Sequence, residues 1–196
     1  KQVGVNMKTL ENTTVKKSDS GKLPIIPGTY PAHVSGFDTA EYNDSIVFNI
    51  TYKIAPEAKQ LTVDKMVLED GNLTQVTDSE GNKVTISASY MSGKEFRGQG
   101  VWLTPNPPQG QGWRNRKYQQ VCENFGIIFE KTDDDETVLG EIEEADVVGK
   151  PAIVKLAREE YEKDGETRFA WKVFQVYPWK EGKQLSSDEM GADVPF

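Results

Sequence analysis

The sequence predicts a mainly β fold: a meander of strands, then one helix, then two strands that close the sheet. Three observations carry this. Residues 46–54 hold the clearest period-2 run of the chain, with Ile46, Phe48, Ile50, Tyr52 and Ile54 alternating with Val47, Asn49, Thr51 and Lys53. Only 113–125 has good helical spacing, with Tyr118, Val121, Cys122 and Phe125 at i, i+3, i+4 and i+7. Two alternating runs near the C-terminus flank Glu162-Lys163-Asp164-Gly165, which reads as a hairpin turn.

The elements follow in order. Residues 1–23 are rich in Lys, Thr and Ser, and read as a flexible arm. Leu23-Pro24-Ile25-Ile26-Pro27-Gly28 punctuates the entry to the fold. From Thr29, Tyr30, Ala32 and Val34 alternate with Pro31 and His33; this strand breaks at Gly36 and the polar Glu41-Tyr42-Asn43-Asp44 turn. After the 46–54 strand comes a short strand at 62–68. Turn signals follow at Asp70-Gly71-Asn72 and Ser79-Glu80-Gly81-Asn82, with renewed alternation at 83–90. Residues 91–111 contain Gly93, Gly98, Gly100, Pro105, Pro107, Pro108 and Gly110. They predict a long loop with a short strand near Val101-Trp102-Leu103, and loops this long are usually functional or disordered. Gly126 closes the helix, placing Cys122 on its buried stripe. Residues 130–146 carry nine acids against Lys131 and read as a solvated loop. Strands at 152–161 and 168–177 form the closing hairpin. The hydrophilic end, 179–196, reads as a disordered tail.

Meander, helix and closing hairpin are the order of an OB-type barrel. The expected organisation is an arm at 1–23, a barrel domain at 24–179 with a long loop-helix insertion, and an acidic tail at 180–196. A β-sandwich fits the strand count but places a buried helix less naturally.

Composition excludes several function classes. Cys122 and His33 are the only Cys and His, so neither an internal disulfide nor a Cys/His zinc site is available. A catalytic triad would need His33, which no nucleophile motif accompanies. No catalytic residue, metal or cofactor is expected. No apolar run approaches the roughly 18 to 20 residues that span a bilayer, and no basic start followed by an apolar stretch suggests a leader.

The net charge is −8, from 23 Lys plus Arg against 31 Asp plus Glu. An acidic chain holds nucleic acid only if its charges are sorted, and here they are. Acids collect at 130–146 and in the tail. Residues 91–120 carry Lys94, Arg97, Arg114, Arg116 and Lys117 against Glu95 alone, interleaved with Phe96, Trp102, Trp113 and Tyr118. Lys53 faces out of its strand. Lys155, Arg158, Arg168 and Lys172 add cations among further rings at 150–180. Cations for phosphates and rings for bases are what sequence-independent single-strand binding needs. Trp171, on the Phe169 face of its strand, reads as core, whereas Trp102 and Trp113 lie in Gly/Pro/Gln-rich sequence where a core role is less natural. Arg114, Arg116 and Lys117 oppose the dipole at a helix start, which points to an anionic partner.

The C-terminus is the most specific motif. Asp188, Glu189 and Asp193 precede Val194-Pro195-Phe196, an acidic leash ending in an apolar hook. Phe196 offers a ring and the α-carboxylate together, and Pro195 lowers the cost of ordering them. A partner pocket with a basic rim would take both.

This ending resembles that of bacterial and phage single-stranded DNA-binding proteins, although Met190-Gly191-Ala192 interrupts the acids. Gly28-Thr29-Tyr30 opening a strand, the Arg116-Lys117-Tyr118 helix, Val148-Gly149-Lys150 and Glu160-Tyr161 are similar to the phage-encoded OB-fold type. The resemblance implies protection of single-stranded DNA without catalysis, in phage replication, recombination and repair inside an infected bacterial cytoplasm. It also implies that the tail recruits replication or recombination proteins. Tetramer formation is not carried over, and the oligomeric state stays open. The rivals are a virion-assembly or structural β protein whose Pro-Phe ending is accidental, and a metal-dependent nuclease using the acidic run.

Overall fold

A computed structural model describes residues 23–69 and 71–179. The arm at 1–22 and the tail with Asp188, Glu189, Asp193, Val194, Pro195 and Phe196 lie outside the described residues.

Period-2 patterning produces the longest strands. β1 (Gly28–Tyr42) and β2 (Ser45–Ile54) form one antiparallel hairpin. Short strands follow: β3 (Thr62–Asp64), β4 (Met66–Glu69), β5 (Asn72–Gln75), β6 (Thr85–Ser87), β7 (Glu95–Arg97) and β8 (Val101–Leu103). Helix α1 (Trp113–Asn124) comes next, then a small hairpin of β9 (Glu130–Lys131) and β10 (Thr137–Val138), and a single turn α2 (Glu144–Val147). β11 (Pro151–Lys163) and β12 (Glu166–Pro178) form the last hairpin.

The chain divides into two compact units, and the barrel unit holds residues 26–63 and 87–179. Its strands run in the order β12–β11–β1–β2–β7, with β8 also on β2, and every one of these pairings is antiparallel. Gly98, just after β7, meets Val173 of β12 in a parallel bridge, and the Gln99 N–H donates to the Val173 carbonyl at 3.1 Å. Counting β7 and β8 as the third strand, the order is that of a five-stranded OB barrel, with α1 between its third and fourth strands. Among the described residues this bridge joins the last edge, and Asn124 of α1 adds a hydrogen bond from Nδ2 to the Val176 carbonyl at 2.7 Å.

The core lies inside the curled sheet. Tyr30, Val34, Phe48, Ile50, Tyr52, Ile54, Val154, Leu156 and Val173 are buried there. The helical stripe inferred from spacing is buried too: Tyr118, Val121, Cys122 and Phe125. Tyr118 packs on Phe48 at 5.0 Å between centroids, and Phe125 stacks on Tyr52 at 6.5 Å. Burial pushes the Cys122 thiol up to about 12, so it stays protonated and apolar at neutral pH. Gly126 ends the helix with its N–H on Glu123, while Ile127 donates back to Cys122.

Several boundaries differ from expectation. β1 does not end at Gly36; a bulge between Val34 and Gly36 shifts the register and the strand continues to Tyr42. Within 91–111 the expected short strand at Val101–Leu103 is present as β8, and a second one that was not expected, β7, also hydrogen-bonds to β2, separated from it by Gly98-Gln99-Gly100. The alternation at 83–90 becomes β6 and a 3-10 turn at Ala88–Met91. The acidic run contains a hairpin, and Glu143 and Asp146 form a capping box on α2.

The second unit consists, among described residues, of 23–25 and 64–86. It contains the β4–β5 hairpin and a tight turn in which the Asp78 carboxylate accepts the N–H groups of Glu80 and Asn82, both at 2.9 Å. β3 and β6 pair with each other.

Candidate nucleic-acid interface

Alternation along β2 turns Phe48, Ile50, Tyr52 and Ile54 inward, so Val47, Asn49, Thr51 and Lys53 face outward. The register then places neighbours beside each. Ala40, Val47 and Trp102 form one row, and Asp38 and Asn49 the next. Gly36, Thr51 and Arg97 follow, and then His33, Lys53 and Glu95. Tyr42 ends β1 on the same side. This outward face is made by the first three barrel strands, the surface on which OB folds bind oligonucleotides.

The ring cluster sits at one end of that face. Tyr42 meets Trp102 edge to face, with centroids 6.1 Å apart at 88°. The Arg114 guanidinium carbon lies 4.9 Å from the Trp102 ring centre and 5.6 Å from that of Trp113. Trp113 is 56% exposed and Tyr42 64%, so both offer ring surface to solvent. Among the described residues Arg114 Nε is buried with no hydrogen-bond partner, and the guanidinium meets the two rings.

Local bonds hold this cluster in place. Asn115 Oδ1 accepts the Thr104 N–H at 2.8 Å, and its Nδ2 donates to the Thr104 carbonyl at 2.9 Å. The first turn of α1 is therefore tied to the chain just after β8, which sets Trp113 and Arg114 beside Trp102. Gly100 allows a close approach below Trp102, because a Cβ there would lie 2.9 Å from Val47 Cγ1.

The cations of the face are arranged differently. Arg97 Nη2 lies 3.4 Å from Asp38 Oδ1, which also accepts from Asn49 Nδ2 at 3.0 Å. Lys53 Nζ lies 3.8 Å from Glu95. Lys117 donates to Gln99 at 2.8 Å, and burial lowers its pKa below the ordinary lysine value. Arg116 is exposed on α1, and Lys94 is half-buried just before β7.

Two expected platform residues are corrected. Phe96 is 6% exposed because the middle residue of β7 faces inward between Glu95 and Arg97. Tyr118 is fully buried on the helical stripe, with its hydroxyl donating to the Gly140 carbonyl at 2.6 Å. Both are core residues. Tyr42 is the face residue that sequence reasoning missed.

The remaining candidates lie on the last hairpin. Lys155 is exposed opposite Thr29. β1 pairs with β11 only as far as Leu156, so beyond it β11 and β12 pair mainly with each other. There Arg158 covers the exposed Phe169 ring, with its guanidinium carbon 3.4 Å from the ring centre. Arg168 approaches Asp164 and Glu166 at 3.7 and 3.3 Å, and Lys172 pairs with Glu159. Trp171 is half-buried on the Arg158 side.

An open groove of about 520 Å³ lies beyond β8, lined by Leu103, Thr104, Pro105, Asn106, Asn115 and residues of 137–141; none of the ring cluster lines it. Among the described residues, no three His, Cys, Asp or Glu side chains gather into a metal-sized group, and no helix is long and apolar enough to cross a membrane. No protein-family model matches the chain, and no curated protein sequence matches it.

Proposed function

We propose that the barrel binds single-stranded DNA without sequence preference, with bases stacking on Tyr42, Trp102 and Trp113 and phosphates meeting Arg114. The observation that carries this reading is the Tyr42–Trp102–Arg114–Trp113 cluster, in which rings and a cation without a carboxylate partner among the described residues gather at one end of the outward face of an OB barrel. A ring stacks with any base, and a guanidinium meets any phosphate, so the set holds a strand while reading little of its sequence. The activity is binding and protection in replication and recombination, without a chemical step. The acidic tail, with Val194-Pro195-Phe196 as its hook, recruits partner proteins.

Titration with oligo-dT at two salt concentrations tests the barrel's part. Tryptophan fluorescence is expected to be quenched, with binding weakening as salt rises. Absence of binding at low salt overturns the reading. Deleting residues 194–196 is expected to leave strand binding intact while ending partner recruitment.

A further inference from the structure

We propose that Asp38 is an internal stand-in for phosphate, holding Arg97 on the open face so that a DNA strand must displace it. The inference deepens the proposed binding role and rests on it.

The register carries the point. Asp38 is on β1 and Arg97 on β7, with β2 between them. Arg97 is opposite Thr51, whereas Asp38 is opposite Asn49, one outward row away. Arg97 Nη2 nevertheless reaches to 3.4 Å from Asp38 Oδ1, so its side chain lies across β2 rather than standing out from it. Asn49 Nδ2, beside it on β2, donates to the same carboxylate oxygen at 3.0 Å. Gly36, in the row of Arg97, leaves that row open on the β1 side. The result is a carboxylate held where a strand crossing the face would place a phosphate, with its cation already on it. Both side chains are more than half exposed, so the pair is weak and can exchange. One row on, Glu95 stands near Lys53 at 3.8 Å and repeats the arrangement more loosely. Arg114 lies against rings and has no such competitor among the described residues.

A strand that takes Arg97 must open the pair and leave the Asp38 charge beside its own phosphates. Asp38 therefore lowers affinity and keeps the bound strand displaceable. The Asp38→Asn substitution keeps shape and removes the competitor.

Oligo-dT titration of the full chain tests this against wild type at several salt concentrations. Asp38→Asn is expected to bind about two- to fivefold more tightly at low salt. Its salt slope is expected to steepen by up to about 0.7, one added phosphate contact on a single strand. Asp134→Asn, which removes the same charge from the acidic turn of the β9–β10 hairpin, is expected to give less than half that gain. In an Arg97→Ala background the Asp38→Asn gain is expected to shrink. Unchanged or weaker binding by Asp38→Asn overturns the proposal, as does an equal gain from Asp134→Asn. If wild type itself fails to bind, the binding reading falls and takes this inference with it. If wild type binds and Asp38→Asn does not tighten, only the stand-in role falls.

Discussion

At the start of α1 a guanidinium rests against indole rings; on the far half of the β11–β12 hairpin Arg168 and Lys172 rest on carboxylates. Both regions have the composition that suggests nucleic-acid binding. Arg114 meets Trp102 and Trp113. Arg168 meets Asp164 and Glu166, and Lys172 meets Glu159. A ring leaves a cation's charge uncancelled, so a phosphate gains the full attraction. A carboxylate must first be displaced, and its charge then repels the incoming strand. What decides is the group each cation already touches, and composition does not record it. Arg158 is the intermediate case, a hairpin cation over the Phe169 ring.

The largest expected effect breaks the first region. Trp102→Ala combined with Arg114→Ala is expected to weaken oligo-dT binding about tenfold to a hundredfold, following the 1–3 kcal/mol typical of one stacked base. The fold should persist, since Tyr42, Trp113 and much of Trp102 lie outside the core. Fluorescence anisotropy with labelled oligo-dT measures the loss, because removing Trp102 compromises the quenching signal. A loss under threefold would remove the ring cluster from the interface.

Next in size is the joint between the regions. A Cβ on Gly98 would lie 2.9 Å from the Tyr52 ring and 3.2 Å from the Ile50 carbonyl. The carbonyl belongs to a central strand and cannot yield easily, so the bridge to Val173 must move. Gly98→Ala is expected to cost about 1–3 kcal/mol, a fall in Tm on the order of 3–10 °C by calorimetry. An unchanged Tm would mean that the hairpin root is not held by this bridge.

These regions also differ in how much of them could be read from sequence. The helical stripe was legible because four residues recur at one spacing, and β2 because five apolar residues alternate without a break. That same stripe already contained Tyr118, so assigning it to the interface conflicted with the periodicity and failed. Phe96 was opaque for another reason: four residues between Gly93 and Gly98 give too short an alternation to orient them. Tyr42 was hidden by the bulge after Val34, since a strand read as ending at Gly36 cannot place Tyr42 beside Trp102. The Asp38–Arg97 pair joins residues 59 apart, and only the sheet order brings them together. Local pattern thus marked the elements, the exposed Trp113 and the half-buried Trp102, while the neutralisation of each cation was a property of the tertiary fold.

A smaller effect is expected on the hairpin. Arg168→Ala with Lys172→Ala should weaken oligo-dT binding less than threefold, because exposed ion pairs of this kind contribute little and their cations are already engaged. A loss matching that of the ring-cluster variant would make ring-held and carboxylate-held cations equal in binding. Arg158→Ala, which takes the cation from Phe169, sharpens the comparison: its loss should fall between the two.

The smallest expected effect lies outside both regions, in the 64–86 turn. Hydrogen bonds from the Asn82 backbone, chiefly, with help from its side chain and from Glu80 and Gly81, hold the Asp78 carboxyl below the usual carboxylate range. A depressed folded-state value means that ionised Asp78 favours the turn at pH above the unfolded carboxylate value. That contribution fades as pH falls through the depressed one. Amide resonances of Glu80 and Asn82 are therefore expected to shift late in an acid titration, below about pH 4. Asp78→Asn should loosen the turn at neutral pH and leave oligo-dT affinity within twofold of wild type. A larger change in affinity would bring residues 64–86 into the binding surface, and the contrast between ring-held and carboxylate-held cations would then describe only part of it.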